Sequence, residues 1–195
     1  MRKTRSRPAW AAALGLAALV QLTPGYAAEY KIDLSHSFIQ FKISHMGFSV
    51  LNGRFDDFAG GFTWDKAKPE TAAVNVTIKA ASVNSNWAER DKHIRSKDFL
   101  EVDKFPEASF KSTKYTGDAT GGTLDGELTL HGVTKPVSIK MKAIGEGKDP
   151  WGGYRAGFAG TTTIKRSDFG VNKFELGPQS DPMDFELFIE GTQNK

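Results

Sequence analysis

The sequence predicts an all-β protein, a closed antiparallel eight-stranded barrel with one inserted helix covering it. Three observations lead there. Apolar and polar residues alternate with period two in segment after segment. The segments are joined by short turns rich in Gly, Pro and Asp. Only one stretch, Asn86 to Leu100, has helical character.

The strands are taken in chain order. Ile39, Phe41 and Ile43 alternate with Gln40, Lys42 and Ser44, and Val74, Val76 and Ile78 with Asn75, Thr77 and Lys79. Further on, Leu124, Leu128 and Leu130 alternate with Asp125, Glu127 and Thr129, and Val137, Ile139 and Met141 with Ser138, Lys140 and Lys142. A weaker pattern carries Tyr154, Ala156, Phe158 and Ile164, and a clear one, Met183, Phe185, Leu187 and Ile189, closes the chain. Shorter candidates cover 51–55, 60–65 and 108–115, giving eight or nine strands in all. One wet and one apolar face per strand suits an antiparallel sheet buried on one side. Closing that sheet removes its edges and leaves room for one ligand.

The helix is placed by Asn86 as N-cap with Glu89 three residues on. At 100° per residue Trp87, Arg90, Asp91 and Ile94 share a face, with His93 at its border, while Glu89 and Lys92 point away. These residues are expected to dock the helix on the barrel and to supply polar contacts there.

Residues 1–27 read as a secretory signal peptide. Arg2, Lys3, Arg5 and Arg7 precede an apolar run, Ala9 to Val20, too short to span a bilayer, and Gly25 and Ala27 suit cleavage after Ala27. The domain is then 28–195. Four of the 26 basic residues and none of the 23 acidic ones lie in the leader, so the formal charge falls from +3 to −1 on cleavage. A nucleic-acid partner loses its support. With no cysteine in the chain, thiolate metal sites, thiol chemistry and a lipidated N-terminal cysteine are excluded. A soluble periplasmic protein is expected, held together by its core rather than by disulfides.

Four blocks carry a family resemblance: "DLSHSFIQFKISHMGFSVLNGRFDDFAGGFTWD", "RDKHIRSKDFLEVDKFPEASFKSTK", "GELTLHGVTKPVSI" and "GFAGTTTIKRSDFGV". Together they resemble the YceI-like family of exported polyisoprenoid-binding proteins over essentially all of 28–195. The matching positions include Asp33 to Ser37, His45, Gly53 to Phe55, Arg90, Asp91, His93, Phe99, Phe105 and Pro106. They continue through Phe110, Ser112, His131 to Thr134, Pro136 and Arg166 to Gly170.

The resemblance implies a lipocalin-like barrel enclosing an elongated pocket for an isoprenoid chain such as a quinone tail, with no cofactor beyond that ligand. Its function is then that of a carrier in the periplasm, with transient contacts to inner-membrane quinone-handling proteins. The aromatic side chains assigned to the pocket are Phe41, Trp64, Phe110, Phe158 and Phe185. The aliphatic ones are Ile43, Val76, Ile78, Leu128, Ile139, Met141 and Leu187.

Other readings compete with this one. His36, His45, His93 and His131 offer imidazoles, yet no HxH or HExxH pair exists, so no metal site is assigned. Arg90, Asp91 and His93 carry the elements of a metal- or lipid-dependent enzyme, but no nucleophile signature accompanies them and no catalytic residue is assigned. An outer-membrane barrel shares the alternation with its apolar face outward; the charged helix, short loops and polar terminus "TQNK" oppose it.

Overall fold

A computed structural model describes residues 27–171 and 176–194; the proposed leader lies outside them except for Ala27. The strands are β1 (Ala28–Ile32), β2 (Phe38–His45), β3 (Ser49–Phe55), β4 (Phe58–Trp64), β5 (Ala73–Lys79) and β6 (Val83–Asn84). After α1 (Ala88–Arg95) come β7 (Glu107–Gly117), β8 (Gly121–Leu130), β9 (Val133–Lys148), β10 (Tyr154–Lys165) and β11 (Pro182–Gln193). The order β1-β4-β5-β7-β8-β9-β10-β11 closes on itself through β1–β11, with all neighbours antiparallel. β2, β3 and β6 continue β1, β4 and β5 past kinks, so the ring has eight staves, three of them broken. Among the described residues no helix is long and apolar enough to cross a membrane.

The first kink shows how breaks are tolerated. A 3-10 turn at Leu34–His36 interrupts the stave, and both halves still hold β11: Ile32 faces Gly191, and Phe38 faces Phe188. Between them Ser37, 3% exposed, donates through Oγ to the Glu190 carbonyl and accepts from the Glu190 amide. The side chain thus supplies bonds the missing ladder would have made. Arg155 on β10 donates to Asp33 at 2.7 Å and also to Glu190 and Asp149. Hydrogen bonds from Ser35 first, then from Arg155 and His36, hold the Asp33 carboxyl well below its usual range.

The helix begins later than its sequence suggests. Asn86 takes a left-handed φ of 65°, so Trp87 becomes the N-cap residue and makes no side-chain cap bond. Trp87 is 64% exposed, a correction to its expected role as an apolar anchor. The attachment is polar. Asp91, buried, accepts from the Ser85 amide at 2.8 Å and from its hydroxyl. Arg90 donates to the Ser85 hydroxyl and carbonyl, while Arg95 donates to the carbonyls of Ala81 and Val83. Ile94 is half-buried against the core and His93 is exposed. The loop after α1 then delivers Leu100 into the barrel end.

Two outcomes test these anchors. Asp91→Ala leaves the Ser85 donors without their partner and should cost about 1–3 kcal/mol, read as a lower urea midpoint with unchanged m. For Asp33 the folded pKa is depressed, so its stabilisation is complete above about pH 4 and drains away as pH falls below that. Asp33→Asn should therefore melt earlier at neutral pH and lose less stability than wild type on acidification, as thermal melts across that window would show.

Candidate functional site

Inward side chains leave a cavity of about 180 Å³ along the barrel axis. At the end away from α1 its floor is aromatic. Trp64 meets Phe158 edge-on at 5.0 Å and Tyr115 at 6.1 Å, and Phe62 meets Phe158 at 5.5 Å while stacking on Tyr30. The polar atoms of this floor are turned away: Trp64 Nε1 donates to Glu146 and Tyr115 Oη to the Asp118 carbonyl. Burial, with Asp118 assisting, pushes the Tyr115 phenol pKa up.

The middle of the wall is aliphatic, from Val74, Val76 and Ile78 on β5 round to Leu187 and Ile189 on β11. Close approach requires glycine at two places: a Cβ on Gly126 would lie 2.5 Å from Phe110 Cζ, and one on Gly53 only 2.2 Å from Phe41 Cζ.

Toward α1 the cavity is closed by Leu100, Leu130, Val171 and Arg166. Among the described residues Arg166 is the one charged residue on the lining, and its guanidinium faces the loop: Nε donates to the Ser180 carbonyl and Nη1 to the Val171 carbonyl, each at 2.8 Å. Burial lowers its pKa while Asp181 opposes the shift. His131, at the β8–β9 turn, bonds the Phe169 carbonyl through Nδ1 and lies against the Phe105 ring, tying three loops of this end together.

Of the side chains assigned to the pocket, Trp64, Val76, Ile78, Phe110 and Leu128 line the cavity. So do Ile139, Met141, Phe158, Phe185 and Leu187. Phe41 and Ile43 do not. Phe41 is buried over Gly53, its cross-strand partner, and tilts against Phe55 and Phe185, filling the wall instead of facing the space. Ile43, between Leu51 and Met183, lies beyond the cavity near the hairpin. Sequence reasoning missed Leu100 and Val171, which arrive from loops and carry no strand periodicity, and Phe55, Phe62 and Tyr115 from strands read as short candidates.

Among the described residues Arg90, Asp91 and His93 are not all brought together at one site. Asp91 and Arg90 are spent on Ser85, while His93 lies at the surface, 3.3 Å from Asp98 and edge-on to Phe99. The ligand atoms of Asp33, His36 and Glu190 fall within 4.8 Å of one another, a spacing that suits a cation. The Arg155 guanidinium already occupies that position, bonded to both carboxylates.

The family model for the YceI-like domain matches residues 30–190. A UPF0312 protein of Pseudomonas savastanoi pv. phaseolicola is 53% identical over 189 residues, covering 95% of this chain and 96% of the relative. One from Shewanella baltica is 54% identical over 170 residues, covering 86% and 88%. Among solved structures, the Campylobacter jejuni YCEI protein aligns with a TM-score of 0.72 at 27% identity over 94% of this chain and all of its own. A polyisoprenoid binding domain from Saccharophagus degradans shares the fold, with a TM-score of 0.64 at 18% identity, covering 87% of this chain and 100% of that domain. A barrel of this topology, matched along nearly its whole length by family and relatives alike, identifies the chain as a member of the YceI-like domain family.

Proposed function

We propose that this protein is a binding protein which takes a polyisoprenoid, an isoprenoid quinone or a polyprenyl chain, into its barrel, shields it from water and releases it elsewhere. The observation that carries this reading is the cavity wall: hydrocarbon from Trp64 to Leu187, with every nearby polar atom turned to backbone or to an outward carboxylate. Such a wall holds a ligand by apolar burial, worth about 25 cal/mol per Å² before the costs of association are subtracted. Among the described residues the hydroxyls on the lining, those of Thr63, Tyr115 and Thr162, are each bonded to a backbone carbonyl, which supports carriage without turnover. The Saccharophagus neighbour is a polyisoprenoid binding domain, which supports the same ligand class.

The cavity as it stands compares with the engineered space of about 150 Å³ that admits benzene. A longer chain therefore needs the half-buried side chains of Leu128, Met141, Met183 and Phe185 to rotate, and flexible methionines suit that purpose. The leader expected of residues 1–27 supports a place in the periplasm, where a carrier would meet inner-membrane quinone-handling proteins transiently as donors or acceptors.

The experiment is native mass spectrometry of mature protein purified without detergent, followed by solvent extraction. A stoichiometric isoprenoid is expected in wild type. Phe185→Asp should lose it by placing a charge in the wall, and Met141→Trp should lose it by filling the space, with circular dichroism confirming the barrel in both. Lipid retained by both folded variants would put the ligand outside the cavity and overturn the reading.

A further inference from the structure

The barrel has a slot in its side. Pairing between β9 and β10 stops at Lys140 opposite Thr161. Beyond that point Val133 to Ile139 pair only with β8, and Thr162 to Lys165 only with β11. The Thr162 hydroxyl donates to the Ser138 carbonyl at 2.9 Å just past the last pair, and His131 Nδ1 meets the Phe169 carbonyl at 3.2 Å at the barrel's end. Between these two bonds the described residues show none joining the strands. Pro136, which has no amide hydrogen, sits in the part of β9 that β10 does not pair and suits an edge that stays open.

Inside and outside meet at this slot. Val137, Thr162, Ile164 and Phe185 line the internal cavity and also a groove on the outer face across β9, β10, β11 and β2. That groove is polar where the cavity is not. Lys42, Lys135, Lys140 and Lys165 border it, with Asp168, Asp184 and Glu186. Glu186 is taken by Lys42 at 2.6 Å, and Asp184 accepts from the Thr163 hydroxyl. Lys135, Lys140 and Lys165 make no ion pair among the described residues, although Lys165 stands near Asp181, and with four lysines against three carboxylates the groove keeps a net charge of +1.

We infer that the slot between β9 and β10 is a side portal, through which the chain of the isoprenoid passes while a phosphate head group stays outside on Lys135, Lys140 and Lys165. The inference rests on the polyisoprenoid reading and narrows its ligand class. A polar head drawn into the cavity would be stripped of water with nothing to bond, at a cost of several kcal/mol. At the slot the chain enters the hydrocarbon space while the head keeps its water and gains charge-assisted bonds from lysines that act as point charges. The small cavity favours the same geometry, because a long ligand that fills it must leave through an opening.

The test uses mature protein and two probes with the same chain, geranylgeranyl monophosphate and geranylgeraniol. At low salt the phosphate should bind wild type about tenfold or more tightly than the alcohol. Lys135→Gln/Lys140→Gln/Lys165→Gln should shrink that gap to about threefold or less while leaving the alcohol's affinity unchanged, which also shows that the barrel is intact. Equal affinities in wild type, or a gap that survives the triple substitution, would overturn the head-group site. Failure of both probes to bind wild type would instead sink the polyisoprenoid reading. The portal has its own readout. In this cysteine-free chain, Pro136→Cys/Thr163→Cys bridged by a bismaleimide should slow uptake of the alcohol about tenfold or more relative to the unbridged variant, if closing the slot hinders the local opening that uptake needs. An unchanged association rate would place the entrance elsewhere.

Discussion

The pairing of β11 with two successive strands, β1 and β2, is the constraint on which the enclosed space depends. A sheet of eight twisted staves becomes a barrel only if its last strand finds its first, and here the first stave is kinked at Leu34–His36. β11 runs straight past the kink because Ser37 bonds both the amide and the carbonyl of Glu190 and because Arg155 gathers Asp33, Asp149 and Glu190 outside it. Without that bridge the ladder would end at Phe188 and resume at Gly191 with the Glu190 amide unpaired and only the Asp33 amide on the Glu190 carbonyl.

The same logic, applied to the other strands, explains how the barrel is both closed and accessible. At one end of the cavity the barrel is filled by aromatic rings, and toward α1 it is closed by Leu100, Leu130 and Val171. Between β9 and β10 the ladder ends early, and the Thr162 hydroxyl takes up the first orphan carbonyl while the strands separate beyond it. Ladder hydrogen bonds are what would have to open for a chain to cross the wall, so the place where they are already missing is the place of least resistance.

Much of this was legible in the sequence because period-two alternation reports a strand and a buried face at once. It placed Val76, Phe110, Ile139, Phe158 and Leu187 on one wall. It failed in three physical circumstances. Parity puts Phe41 and Ile43 on the apolar face but says nothing of depth along the barrel or of a glycine opposite, and Gly53 lets the Phe41 ring lie flat over β3. Helical phase places Trp87 with Asp91, but the left-handed turn at Asn86 takes Trp87 out of the helix. The slot has no local signature apart from Pro136, since β9 alternates cleanly through Val137, Ile139 and Met141 whether or not a neighbour is bonded to it.

A hydrocarbon wall also limits how this protein can select. Apolar burial is non-directional and scales with area, so the cavity measures the girth and flexibility of a chain and is blind to what the chain carries. Any discrimination between isoprenoids that differ at the head must come from groups outside the wall. The outer groove beside the slot, where Lys135, Lys140 and Lys165 stand next to Thr162 and Ile164 of the cavity lining, is where polar and apolar recognition come within one molecule's length of each other. Exposed charges of this kind act weakly and reversibly in water. The proposed carrier role would be better served by such a rim than by a buried polar clamp, whose unmaking would leave desolvated groups inside the barrel.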